Sequence, residues 1–186
     1  MPNNTLQPTG AAVTRFQSSR LGRRPRRLSV SVRAHMHQGL ERNFWIGVVS
    51  RSHVQVGVKG GFVQLSHGKK APLQKLRPGD GLIMYSPRTS YPDGEVLQSF
   101  TAIGVITSGH TYQVEMSPEF RPYRVDVKFL KCREAPIKPL IDKLSFIKNK
   151  THWGASFRFG QLKILAWDFN LIAKAMGCKP FDENVL

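Results

Sequence analysis

From Phe44 to Val49 the chain runs apolar, aromatic and β-branched, a composition that predicts a short buried strand. Ser50 ends it. His53, Val54 and Gly57 then fall at near-helical spacing, so a helix over Arg51 to Val58 is expected, closed by Gly60-Gly61. The pattern lapses through Gly60 to Leu73, where glycines, hydrogen-bonding side chains and lysines alternate without a period, as in a loop that wraps a ligand. Pro72 to Asp80 reads as a turn leading into a strand from Gly81 to Tyr85, with Pro87 as its stop. Tyr91-Pro92-Asp93-Gly94 is a surface turn. Ser99 to Thr107 and Tyr112 to Met116 suggest a hairpin across Ser108-Gly109-His110. Tyr123 to Phe129 alternates as a half-buried strand does. Ile137 to Phe146 is irregular around Pro136 and Pro139. Phe169, Ile172, Ala173 and Met176 recur at i, i+3, i+4 and i+7 before Gly177, which predicts an amphipathic helix over Trp167 to Met176. Ala166 stands where a capping Ser or Thr would help, a loss of about 1 kcal/mol. Many short strands and few helices imply an α+β, barrel-like domain.

Composition changes this picture at the N-terminus. Net charge is +16 over 186 residues. Residues 1–42 contribute +7, from arginines set among serines with Glu41 as the one acid. This segment has no hydrophobic period to offset the entropy of ordering. It reads as a basic tail: a nucleic-acid arm, a transit peptide, or chain upstream of a true start at Met36. Residues 43–186 carry the other +9, so the expected domain, 43–178 with a short tail at 179–186, is basic by itself. That favours a polyanionic partner, nucleic acid first. Cys132 and Cys178 lie far apart without a CxxC spacing, which suits free thiols in a reducing, cytoplasmic setting. No apolar run approaches the ~20 residues of a membrane span, so no membrane partner is expected.

Catalytic motifs are hard to find. Gly68-Lys69 suggests a phosphate-binding loop, but six residues separate Gly61 from Gly68 where four are needed, and Lys70 stands where Ser or Thr should hold magnesium. GxSxG, HExxH and GxGxxG are missing. His35 and His37 lie in the basic tail, and no acid pair stands out. The expectation is a binding protein without metal or cofactor, not an enzyme.

Several short motifs occur in an ordered series: Trp45-Ile46-Gly47-Val48 with Ser50 and His53-Val54; Gly61-Phe62 with Gln64; His67-Gly68-Lys69 with Pro72-Leu73; Gly79-Asp80; Tyr85-Ser86-Pro87; Phe120-Arg121-Pro122-Tyr123-Arg124; and Phe157-Arg158-Phe159-Gly160. From Asn43 to Gly177 the chain thereby resembles the EVE domain family of the PUA-like fold, related to YTH domains. The resemblance implies a curved β-sheet or pseudo-barrel with short flanking helices. It implies a pocket for a modified base, modified cytosine in DNA or a modified base in RNA. It also implies that a restriction role would need a separate nuclease or effector protein as partner. A flipped base requires aromatic walls, polar groups for its edge and cations for flanking phosphates. Candidate walls are Phe62, Tyr85, Phe120 and Trp153. Candidate edge readers are Ser50, Gln64, His67 and Ser86. Candidate phosphate contacts are Lys69, Lys70, Arg88, Arg121 and Arg158. For each aromatic the alternative is core filling, and for Ser50 it is a helix N-cap. If Phe157 and Phe159 share a face, strand alternation sends Arg158 to the other. Binding of a free nucleotide and an unrecognised activity on nucleic acid are the rival readings.

Overall fold

A computed structural model of the chain describes residues 42–181. The basic tail, the start at Met36 and the end of the C-terminal tail lie outside the described residues. The expected α+β architecture is found: a curved, mixed sheet whose strands lie in the order Phe62–Val63, Tyr123–Phe129, Val96–Ile106, Gly81–Arg88, Phe44–Val48 and Gln161–Ile164, with short helices against it.

The first strand, β1 (Phe44–Val48), is followed at once by α1 (Arg51–Gly60), and β2 (Phe62–Val63) returns beside it. Gly61 adopts φ 70°, and its N–H reaches the Gly57 carbonyl, which is the left-handed stop that the glycine pair foretold. A single turn, α2 (Lys70–Leu73), leads to β3 (Gly81–Arg88) and the long β4 (Val96–Ile106). Pro87 does not stop β3. The strand continues to Arg88 through a register shift between Ser86 and Arg88, where an irregular ladder tolerates the missing N–H. The expected hairpin is not formed either. β5 (Tyr112–Gln113) pairs antiparallel with β6 (Tyr123–Phe129) and not with β4. β6 itself pairs with β4 at Gly104 to Ile106. Two-residue β7 (Ala135–Pro136), β8 (Gln161–Ile164) and α3 (Ala166–Ala175) complete the domain.

β1 and β3 run parallel and every other ladder is antiparallel. Central β3 is buried on both faces, and its alternation feeds two cores. Ile83 and Tyr85 pack with Phe44, Phe100, Phe169 and Ile172 beneath α3. Leu82 and Met84 pack with Val54, Leu65, Leu73 and Val127 beneath α1 and α2. Met84 is paired with Ala102 but Tyr85 with Phe100, so Thr101 is bulged out. The bulge reverses parity in β4 and places Phe100 on the same side as Ile103.

Candidate functional site

Where β1 passes into α1, the chain opens a groove of about 580 Å³. Val48, Val49, Ser50 and His53 form one side, with Gln64, Ser66 and His67 from the loop after β2. Pro87 and Arg88 come from the end of β3, and Ser90 and Tyr91 from the turn that follows. Met116 and Phe120 rise from the segment between β5 and β6, and Phe157 to Gly160 enter ahead of β8.

The loop from Ser66 to Gly68 is held in an unusual shape. Its three residues all have positive φ, 48°, 55° and 79°. Glycine suits that region, whereas serine and histidine adopt it only under constraint. The constraint is packing. A Cβ on Gly68 would stand 2.4 Å from Pro122 Cβ, and one on Gly160 would stand 3.0 Å from Ser66 Oγ. Three strands of chain thus meet at the groove with no room for side chains between them.

Ser50 occupies the N-cap position of α1, yet its hydroxyl makes no capping bond and lies 3.3 Å from Ser52 Oγ. The N-terminal end of the helix, with its partial positive charge, therefore sits at the groove. Ser52 N donates to the Thr89 carbonyl, which ties that end to the β3–β4 turn. Gln64 is buried, and its Oε1 accepts Arg124 Nε at 3.4 Å. The Arg124 guanidinium lies 3.8 Å over the Phe62 ring. Burial first, and the Arg124 charge second, hold the His53 imidazole below its ordinary 6.5. Arg88 Nη1 donates to the Gly94 carbonyl, and the Arg158 side chain has no partner among the described residues. Among the described residues, no carboxylate lines the groove.

The sequence profile described as EVE domain matches residues 43–175. The chain belongs to the EVE domain family. It is 52% identical over 132 residues to a UPF0310 protein of Mycolicibacterium vanbaalenii, covering 71% of this chain and 91% of the relative. It is 50% identical over 138 residues to UPF0310 protein YdcG of Bacillus subtilis, covering 74% and 94%. UPF0310 protein msl3206 of Mesorhizobium japonicum is 48% identical over 136 residues, covering 72% and 91%. Among solved structures, protein Atu2648 of Agrobacterium tumefaciens is similar at a TM-score of 0.47 and 11% identity, covering 75% of this chain and 99% of that one.

Of the residues singled out in the sequence, this EVE domain brings Ser50, Gln64, His67, Phe120, Arg88 and Arg158 to the groove. Others lie elsewhere. Tyr85 is 2% exposed and stacks at 4.1 Å on Phe157, and burial pushes its phenol up to about 12. Trp153 packs edge-on against the same Phe157 at 6.3 Å. Both rings therefore support the groove floor from below and do not form its walls. Ser86 is buried, sharing a 2.8 Å hydrogen bond with Thr101 at the bulge. Phe62 lies under Arg124 at the edge of a small void beside α1. Lys69 and Lys70 are exposed outside the groove, Lys70 over the Tyr123 ring. Arg121 is paired with Glu115 at 2.9 Å.

Alternation was the wrong rule for Arg158. Trp153–Phe157 forms a 3-10 turn, not a strand, so Phe157 is buried, Phe159 is 86% exposed, and all three of Phe157, Arg158 and Phe159 line the EVE groove. His53, Tyr91 and Phe159 are among the lining residues that were not candidates from the sequence. Tyr91 carried a usable signal, since an aromatic in a Pro-Asp-Gly turn has no core to fill. It is 77% exposed, and its ring meets the His67 ring at 5.9 Å.

Proposed function

We propose that this EVE domain is a non-catalytic reader of a modified nucleobase, modified cytosine in DNA or a modified base in RNA, which it takes extruded from the strand into the groove. One observation carries the reading. Aromatic rings (Tyr91, Phe120, Phe159 and the floor ring Phe157), hydrogen-bonding side chains and two arginines converge on one groove, which no carboxylate among the described residues lines. Such rings offer stacking surfaces worth about 1–3 kcal/mol per base. Ser50, Gln64 and His53 face the edge of a base lying between them, and Arg88 and Arg158 suit the phosphates on either side. A methyl group seated in such a site contributes about 0.8 kcal/mol. Preference for the modified base over the plain one is then modest, about fourfold, unless stacking changes too.

The test is a titration of the full chain with short DNA and RNA oligonucleotides carrying one cytosine, methylcytosine, hydroxymethylcytosine or methyladenine, each at two salt concentrations. Tighter binding of one modified base, together with weaker binding at higher salt, is expected. Salt-driven binding that ignores the base would overturn the reader assignment. Binding of free nucleotides without salt dependence would favour a small-molecule site.

A further inference from the structure

The Gln64 amide has a fixed polarity. A guanidinium carries donors only, so the atom of Gln64 that meets Arg124 Nε has to be the carbonyl oxygen. Gln64 Nε2 has no partner among the described residues, and Gln64 lines the groove. Arg124 in turn has no carboxylate partner. Ion pairs form elsewhere, between Arg51 and Glu134 and between Arg121 and Glu115. Its charge rests instead on the Phe62 ring face, on Met116 Sδ at 3.3 Å and on Gln64 Oε1. A half-buried cation with neutral partners polarises the amide it touches and strengthens the donor at its far end. The bond is long, but the charge acts through distance; Asp126, two residues along β6, accepts the Tyr112 hydroxyl at 2.9 Å and forms no ion pair with Arg124.

Resting on the reading of the groove as a base site, we propose that Arg124 is a positioning residue which locks Gln64 as a hydrogen-bond donor. The ligand edge facing Gln64 must then be an acceptor: the ring nitrogen or the 2-oxo oxygen of a cytosine-type base, not an exocyclic amino group. An amide free to flip would serve either edge, and a site built on it would discriminate poorly. Here a side chain outside the groove removes that freedom. Mismatched partners at a buried donor cost far more than a missing methyl does, so this pair contributes more selectivity between base classes than the methyl-sized space contributes between modified and plain base.

The experiment uses the full chain and DNA oligonucleotides with a single methylcytosine or one of three analogues. In the first C–H replaces ring N3, in the second sulfur replaces the 2-oxo oxygen, and in the third the amino group is absent. For the parent chain, at least one of the two acceptor changes should weaken binding tenfold or more. In Gln64→Leu, Gln64→Glu and Arg124→Met that penalty should shrink below about threefold, while any penalty for removing the amino group stays as it was. Arg124→Met keeps a long apolar stem over Phe62. Gln64→Glu keeps Arg124 paired, so it retains the fold even if the methionine variant does not. An acceptor penalty that survives in the folded variants, or variants that erase the amino-group penalty instead, would overturn the proposal. Preference for methyladenine over every cytosine probe would overturn it while leaving the reader assignment standing. Failure of every oligonucleotide to bind would remove both.

Discussion

Single residues set the shape and the charge of the groove, and two of them give direct predictions. Gly68 combines φ 79° with a backbone that abuts Pro122. Gly68→Ala meets left-handed strain of about 1–2 kcal/mol and an overlap that needs main-chain movement, about 1–3 kcal/mol more. A lowered midpoint in urea unfolding is expected, and a stability within 0.5 kcal/mol of the parent, on the order of an inert surface change, would contradict the packing described. His53 gives a pH prediction. Its folded pKa lies below the ordinary 6.5, so between those values the unfolded chain binds the proton and the folded chain does not. The His53 contribution is therefore complete above pH 6.5 and is lost as pH falls through the folded value. Melting temperature should drop as pH is lowered below 6.5, and His53→Asn should flatten that drop. An unchanged slope in the variant would assign it to other groups. At this scale the site was only partly legible in the sequence. Gln64 was legible from an amide that can donate and accept at once, and Phe120 from the motif shared with the EVE family, whereas Phe62, singled out because its glycine and glutamine neighbours do not suit a buried strand, is buried in β2. Tyr85 and Ser86 looked similar, but β3 is covered on both faces, so alternation had no solvent side to offer them. His53 was hidden because its role depends on Arg124, far along the chain.

Elements in this domain are joined by buried carboxylates, which residue patterns do not announce. Asp80, just ahead of β3, accepts from Asn43 N, Asn43 Nδ2, Trp45 Nε1 and Arg77 N at 2.9–3.3 Å. It thereby fastens the start of β1 to the turn before β3, the two strands that run parallel without a hairpin to hold them. Asp168 does similar work for α3. That helix has Leu165 at its N-cap and no side-chain cap, as the Ala166 position suggested. Asp168 in its first turn is fully buried, favours the helix dipole, and accepts Ser145 N at 2.7 Å and Ser145 Oγ at 2.6 Å. The irregular 137–147 segment is pinned to the helix by those two bonds. Asp168→Ala removes the acceptor of both bonds and leaves a gap at a fully buried site, while water can reach the exposed Ser145, so a loss of about 1–3 kcal/mol is expected, read by chemical denaturation; a loss under about 0.5 kcal/mol, the size of an ordinary surface change, would show that the segment holds without it. Periodicity was enough to find β1, α1, β6 and α3 within a residue or two, because each has one clearly buried face. It failed for β5. Two residues hold too little pattern to choose between neighbours, and the choice fell to β6, which carries the Tyr112 hydroxyl on Asp126 at 2.9 Å.

For the whole molecule, the question is how much of the +16 charge acts at the groove. The excess is spread over the chain, and among the arginines near the groove the surroundings differ. Arg121 is neutralised by Glu115, Arg88 is anchored through the Gly94 carbonyl, and Arg158 is exposed without a partner among the described residues. A phosphate contact displaces about 0.7–0.9 of a condensed counterion, so each one lost lowers the slope of log K against log salt by that amount. Arg158→Ala should reduce the slope by nearly one and weaken every oligonucleotide alike, leaving the ratio between bases unchanged, because phosphate contacts carry no base information. Arg88→Ala should do the same more weakly, since its guanidinium already spends one donor on the turn. Arg121→Ala should leave the slope almost untouched, because it removes a cation whose charge Glu115 already balances. The ordering is the test. If Arg121→Ala lowered the slope as much as Arg158→Ala, the strand would cross the β5–β6 face and not the groove, and the base would have to enter from a direction that the aromatic walls do not serve.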